Sequence, residues 1–290
     1  MADPIPFDFD DSTGRSLAAY HWPSGGAPRA AVLLVHGMGE HALRYQAFAE
    51  ALADAGFAVY AYDQRGHGSS IHDDEDPGTI GAMGWTHLVD DIVEFAAVIR
   101  EEHPDCRVGV VAHSMGSFAT QQTLLRAPRA FDAIVFSGTA ALDLLEPALD
   151  LSGPLDLSGF NTAFEPARTD FDWLSRDEEQ VDRYIDDARC GFGIDLDATV
   201  AMFAGARLLA DPAALTSVPP TLPVLVAVGD ADPVNAALAL VHPLIDRLRT
   251  AGLRDVTQIV YPGARHEILN ETNRAEVVGD LVGWLTARLT

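Results

Sequence analysis

Val108-Gly109-Val110-Val111-Ala112-His113-Ser114-Met115-Gly116-Ser117-Phe118-Ala119 is the stretch on which the reading of this chain turns. Residues 108–112 are an apolar run of the length of a buried strand, and residues 115–119 open a helix-compatible stretch. A serine on the sharp turn between a strand and a helix is the layout of a nucleophile elbow. The turn strains the backbone and pushes the hydroxyl clear of the sheet. The crossing strand and helix leave space only for small side chains two positions before and two after the serine. Gly116 meets the second requirement. Ala112 stands at the first, where glycine is the commoner choice, and adds one methyl.

A serine hydroxyl is a poor nucleophile at neutral pH, so it needs a base, and the base needs an orienting acid. Two further strand ends supply candidates in the order serine, acid, histidine. The apolar run Leu222–Val228 leads into Gly229-Asp230-Ala231-Asp232-Pro233-Val234. The run Val256–Tyr261 leads into Pro262-Gly263-Ala264-Arg265-His266-Glu267. Both lie past the C-terminal ends of strands, where open α/β sheets gather ligands. The assignment is Ser114 nucleophile, Asp232 acid and His266 base. Asp230 competes for the acid role. Asp232 is preferred because a loop reaching across to a histidine needs a few residues beyond the strand, and Pro233 stiffens the approach.

Ala31–Val35 reads as another strand, followed by His36-Gly37-Met38-Gly39. Glycines there let the backbone aim an N–H at a reacting carbonyl oxygen. The oxyanion donors would be the amides of Met38 and Met115, each worth about 3–4 kcal/mol in the barrier.

These residues carry a family resemblance. His36-Gly37-Met38-Gly39-Glu40-His41, with Arg44-Tyr45 behind it, resembles the oxyanion segment of monoacylglycerol lipases and bacterial lysophospholipases. Asp63-Gln64-Arg65-Gly66-His67-Gly68-Ser69 resembles their second fingerprint, and Ala112-His113-Ser114-Met115-Gly116 their elbow with one alanine change. Gly229–Asp232 and Pro262–Glu267 complete the match. The likeness spans roughly residues 15–137 and 218–285. It implies an α/β-hydrolase fold: a mostly parallel central sheet flanked by helices, with a helical lid inserted after the sixth strand. The expected organisation is a core of residues 1–138 and 218–290, with a cap of residues 139–217.

Alternating strand and helix patterns agree with βαβ units. Phe7–Asp10 and Leu17–Trp22 suggest an opening antiparallel hairpin. Apolar spacing of three and four predicts helices over Tyr45–Ala55, His87–Glu102, Met115–Ala127, Ala236–Ala251 and Asn273–Leu289. The interval 139–217 lacks strong strands. It holds Pro147, Pro154, Pro166 and Pro212, with short amphipathic pieces at Asp177–Ala188 and Ala198–Leu209. A lid would present apolar side chains to the substrate. Phe160, Phe164, Phe171, Trp173, Leu174, Met202 and Phe203 are candidates for lining an acyl site, although scattered aromatics more often pack a core.

Other residues have plainer readings. His36 is expected to hydrogen-bond loop backbone and His113 to pack away from the hydroxyl. The resemblance implies that Asp63, Arg65 and His67 form an ion-paired turn bracing the oxyanion segment, with Glu40 and His41 expected to hold the same segment. Asp73-Asp74-Glu75-Asp76 reads as a solvated acidic run rather than a metal site. No zinc-type spacing and no phosphate loop occurs, since Gly66-His67-Gly68 lacks the lysine and following helix. Neither a metal nor a cofactor is expected.

The chain of 290 residues is 48% hydrophobic, enough for one large core. No apolar run approaches the roughly 20 residues that span a bilayer. Met1-Ala2-Asp3-Pro4 lacks the basic start of a signal peptide. Cys106, at the start of a strand, and Cys190 are too few for a disulfide framework and fit a reducing cytoplasm. The net charge is −24, and every one of the 19 basic residues is arginine. Such a surface repels nucleic acid and anionic membranes, allows at most transient membrane-surface contact and favours neutral over anionic substrates. Oligomeric state is not legible.

The reading is a cofactor-free serine hydrolase cleaving carboxylic esters through an acyl-enzyme. The resemblance implies monoacylglycerols or lysophospholipids as the small-molecule acyl ester substrates. The same constellation serves short-chain carboxylesterases, thioesterases, cofactor-free peroxidases and aminopeptidases. It also survives in non-catalytic small-molecule-binding proteins of this fold. Dehalogenase and epoxide hydrolase chemistry is disfavoured, because it needs an aspartate where Ser114 stands.

Overall fold

The computed structural model describes residues 3–72, 75–81, 83–151, 153, 155 and 157–290. Met1, Ala2, Asp73, Asp74 and Pro154, which entered the sequence reading, lie outside the described residues.

The chain opens with β1 (Ile5–Asp10) and β2 (Ser16–Trp22), paired antiparallel as the alternating pattern predicts. Then follow β3 (Ala30–Val35), α1 (Gln46–Asp54), β4 (Phe57–Tyr62), α2 (Gly84–Glu102), β5 (Val108–His113), α3 (Met115–Arg126) and β6 (Ala133–Ser137). The segment after β6 contains α4 (Leu142–Leu145), α5 (Glu178–Asp186), α6 (Leu196–Leu208) and several short 3-10 turns. The chain closes with β7 (Val224–Gly229), α7 (Val241–Thr250), β8 (Val256–Tyr261) and α8 (Arg274–Leu289).

One eight-stranded sheet runs β1-β2-β4-β3-β5-β6-β7-β8. β2 pairs β4 antiparallel, and every later pairing is parallel. Strands β3 to β7 are buried along their whole length, because helices cover both faces. Their sequences are accordingly continuous apolar runs rather than alternating ones.

The strand order places the site. From β3 the chain moves outward to β4, then returns past β3 to β5, so the winding reverses between these two neighbours. Val35 pairs with Ala112 at the C-terminal ends of β3 and β5. The loop after β3 and the turn after β5 therefore share the crevice where such sheets bind ligands.

Two expectations are corrected. The helix read from Ala236 begins at Val241, because Ala236, Ala237 and Leu238 take left-handed φ values of 51°, 50° and 74°. Asn235 holds that turn: its Oδ1 accepts from Leu238 N at 2.8 Å, and its Nδ2 donates to Gly229 O at 2.9 Å. Cys106 lies in the turn before β5, which starts only at Val108, and its backbone N–H donates to His103 O at 3.0 Å.

Candidate active site

Ser114 sits between β5 and α3 with φ 49° and ψ −121°. A non-glycine residue at positive φ costs of order 1–3 kcal/mol and persists only where its surroundings over-determine it. Here Ser114 N donates to Ser137 O at 3.0 Å, and Ser114 O accepts from Phe118 N at 3.0 Å and Ser117 Oγ at 2.7 Å. At Gly116 a Cβ would press into the carbonyl oxygens of His36 and Val35. The backbones of β3 and α3 pass too closely there for any side chain.

Beyond β7, Asp232 is fully buried; beyond β8, His266 is nearly so. His266 Nδ1 donates to Asp232 Oδ2 at 2.9 Å. Asp232 Oδ1 accepts from Val234 N at 2.9 Å. Asp230, the competitor, instead accepts from Gly263 N at 2.6 Å and shapes the turn before the histidine. Burial opposes a charge on His266, but the Asp232 carboxylate, its hydrogen bond, and Glu267 and Glu40 beyond it outweigh burial and raise its pKa above 6.5. Ser114 and His266 line one cavity. Among the described residues no hydrogen bond joins Ser114 Oγ to His266, a gap common where no substrate is bound.

His113 is adjacent in a second sense. Its ring centroid is 4.8 Å from that of His266, its Nδ1 lies 3.2 Å from Ser137 Oγ, and it lines the same cavity. Burial, reinforced by the neighbouring His266, lowers its pKa to about 3, so it stays neutral.

The loop 36–41 is braced from below, as expected. His36 Nε2 accepts from Gln64 N at 2.9 Å while its Nδ1 donates to Gly37 O at 2.7 Å. Burial drives its pKa to about 3, which fits this neutral tautomer. Asp63 accepts from Ala42 N and Ser69 N, both at 2.8 Å. Arg65 pairs with Asp91 and Asp11, and His67 Nδ1 donates to Arg65 O at 2.8 Å. The amides of Met38 and Met115 donate to no protein group among the described residues.

Glu40 Oε1 accepts from Gly37 N at 2.5 Å and from Tyr45 OH at 2.7 Å. Its other oxygen meets Arg44 at 2.6 Å, and Arg44 makes a two-pronged pair with Glu267 at 2.6 and 2.7 Å. A chain from buried Glu40 through partly buried Arg44 to buried Glu267 therefore ties the loop after β3 to the residue following His266. Sequence reasoning missed the Glu267 end, because the partners stand 223 positions apart. Burial would raise the Glu267 pKa, but the Arg44 guanidinium overrides it and holds the carboxyl down at about 2.

Of the apolar candidates, Phe160, Trp173, Leu174, Met202 and Phe203 line the cavity with Ser114. So do Leu142, Leu145, Leu149, Leu155 and Leu157, which carried no sequence signal beyond being leucine. Phe164 and Phe171 are not in that lining. The Arg265 guanidinium lies 4.2 Å over the Phe164 ring, and Phe171 packs on Tyr184 with centroids 5.1 Å apart. Polar members of the lining are Glu40, His113, Tyr184 and Glu267.

Among the described residues one cluster could hold a metal: His41, Asp187 and Cys190 offer ligand atoms within 4.8 Å of one another. His41 Nε2 already pairs with Asp187 at 2.8 Å, and Asp187 with Arg189. No described helix is long and apolar enough to cross a membrane.

Residues 26–273 match the family described as serine aminopeptidase, S33. The chain is 32% identical to the monoacylglycerol lipase of Mycolicibacterium smegmatis over 273 residues, 92% of each chain. It is 27% identical to the monoglyceride lipase of Mus musculus, covering 96% of this chain and 89% of that one. A solved structure of a thermostable carboxyl esterase from Bacillus coagulans is similar with a TM-score of 0.86 at 24% identity, covering 99% of both chains, a likeness of fold. With its sheet, elbow and loop order in place, this chain is a serine hydrolase of the α/β-hydrolase fold and belongs to the serine aminopeptidase S33 family, in which its relatives include monoacylglycerol lipases.

Proposed function

We propose that this enzyme hydrolyses carboxylic esters of monoacylglycerol type with Ser114, His266 and Asp232 as its triad. The observation that carries the reading is the cavity itself. A wall of leucines, Phe160, Trp173, Met202 and Phe203 opens on Ser114 and His266, and Glu40, Tyr184 and Glu267 join the same lining. The apolar wall suits an acyl chain, and the hydrogen-bonding groups suit a hydroxylated alcohol. The monoacylglycerol lipase relatives support the same substrate class.

In this reading His266 Nε2 takes the Ser114 proton as Oγ attacks the acyl carbonyl carbon. Asp232 keeps the Nδ1 proton in place and stabilises the imidazolium. The Met38 and Met115 amides bind the oxyanion. Collapse breaks the C–O bond to the alcohol, which leaves with the proton from His266. Water, deprotonated by His266, then releases the acid and restores Ser114. Residues 139–217 act as the cap over this site, on a core of residues 1–138 and 218–290. The unpaired Cys106 and Cys190 fit a cytoplasmic setting.

The substrate preference follows from charge. With a net charge of −24 and two carboxylates in the lining, neutral esters enter more readily than anionic ones. The test is turnover of monoacylglycerol, an anionic lysophospholipid of matched chain length and short p-nitrophenyl esters, with Ser114→Ala as the blank. Faster turnover of monoacylglycerol than of either other class is the expected result. Equal turnover of neutral and anionic lipids removes the head-group preference, and activity on short esters alone reassigns the protein as a short-chain esterase.

A further inference from the structure

Trp173 stands in two places at once. Its ring lines the cavity, and its centroid lies 4.9 Å from that of His266, on which it is tilted by 43°. Its buried indole N–H has no acceptor among the described residues. An unpaired buried donor costs free energy, so the ring is held there against a penalty.

The backbone around Trp173 is stitched to the loop carrying the histidine. His266 N donates to Trp173 O at 3.4 Å and Glu267 N to Leu174 O at 2.8 Å. Ser175 Oγ donates to Asn270 O at 2.9 Å. Buried Glu271 closes the clasp: it accepts from Arg265 N at 2.8 Å on one side and from Arg176 Nε at 2.8 Å on the other. These hydrogen bonds tie the strip to the loop.

The wall of the cavity is apolar over most of its extent, and an acyl chain that fills it packs against that wall. A longer acyl chain reaches more of this lining, and Trp173 is the lining residue whose ring packs on His266 and whose carbonyl also accepts from His266 N.

We propose that Trp173 couples filling of the acyl cavity to the placement of His266, so that longer acyl chains raise kcat and not only affinity. Trp173 is on this account a positioning and chain-length-sensing residue, and the inference rests on the ester-hydrolase reading above. Binding energy from the remote chain is converted into alignment at the reacting centre.

The experiment measures kcat and KM separately for p-nitrophenyl acetate, butyrate, octanoate and decanoate. In the wild type kcat should rise about tenfold along the series, a gain of about 1.4 kcal/mol at the transition state. In Trp173→Ala it should be flat within about twofold, with Trp173→Phe in between. Met202→Ala, which trims the cavity without touching the clasp, should act through KM. A wild-type kcat that ignores chain length, or a slope in Trp173→Ala equal to the wild type, overturns the coupling. Should Trp173→Ala fail to fold, the Trp173→Phe slope decides, and an unchanged slope there overturns it too. Absence of any Ser114-dependent hydrolysis, even of the acetate, overturns instead the ester-hydrolase reading beneath it.

Discussion

His266 Nδ1 and Asp232 Oδ2 lie 2.9 Å apart in a region from which water is almost excluded. A carboxylate can only accept, so the Nδ1 proton is fixed and Nε2 is left bare to receive one. Asp232→Asn keeps the shape but offers an amide N–H in place of an oxygen, which favours the wrong tautomer. The expected loss is about four orders of magnitude in kcat with KM little changed, read from steady-state kinetics. A loss confined to KM would place Asp232 outside the reaction.

The same pair sets the pH dependence. On the proposed mechanism His266 must be neutral to act as a base, and its pKa is raised above 6.5. The value of kcat/KM should therefore climb with pH through a point above 6.5, and Asp232→Asn should move that climb to lower pH. Linkage gives the opposite trend for the fold. The favoured imidazolium contributes stability that is fully present below pH 6.5 and is lost as pH rises through the folded pKa. The pH–rate profile and denaturant midpoints across the same pH range check both signs.

Arg44 is the cation shared by two buried carboxylates, Glu40 and Glu267. Arg44→Met would leave both without their cation, at a cost of about 3–5 kcal/mol in unfolding free energy. The Glu267 pKa, lowered to about 2 from 4.5, adds a signature. Its contribution is present above pH 4.5 and lost as pH falls toward 2, so acid unfolding of the wild type should be steep in that window and shallower in Glu267→Gln. Acid titrations followed by circular dichroism read this.

Gly116 has no space for a methyl against His36 and Val35. Gly116→Ala should cost roughly 1–3 kcal/mol through backbone displacement. It should also lower kcat, because Ser114 and the Met115 amide ride on the same turn. Urea unfolding and kcat together check this, and an unchanged kcat with lowered stability would detach the elbow from the chemistry.

Strands β3, β5 and β7 were legible because each is a continuous apolar run followed by a turn rich in glycine, serine or aspartate. The pairing of Asp232 with His266 was legible for a related reason: both follow strand ends that must lie side by side. The segment between β6 and β7 resisted reading. Its 3-10 turns have no 3.6-residue period, so nothing in the pattern separates Phe160, which lines the cavity, from Phe164, which lies under Arg265. The Arg44–Glu267 pair was hidden because no local spacing encodes a contact across 223 residues. At Ala236–Leu238 helix propensity pointed one way, and the Asn235 side chain, bonded to Leu238 N and Gly229 O, turned the backbone another.

Intact-protein mass spectrometry after exposure to a fluorophosphonate tests the central claim most directly. The wild type should gain a single adduct mapping to Ser114, and Ser114→Ala should gain none while losing about six orders of magnitude in ester turnover. An adduct on another residue, or ester turnover that survives Ser114→Ala undiminished, would contradict the account.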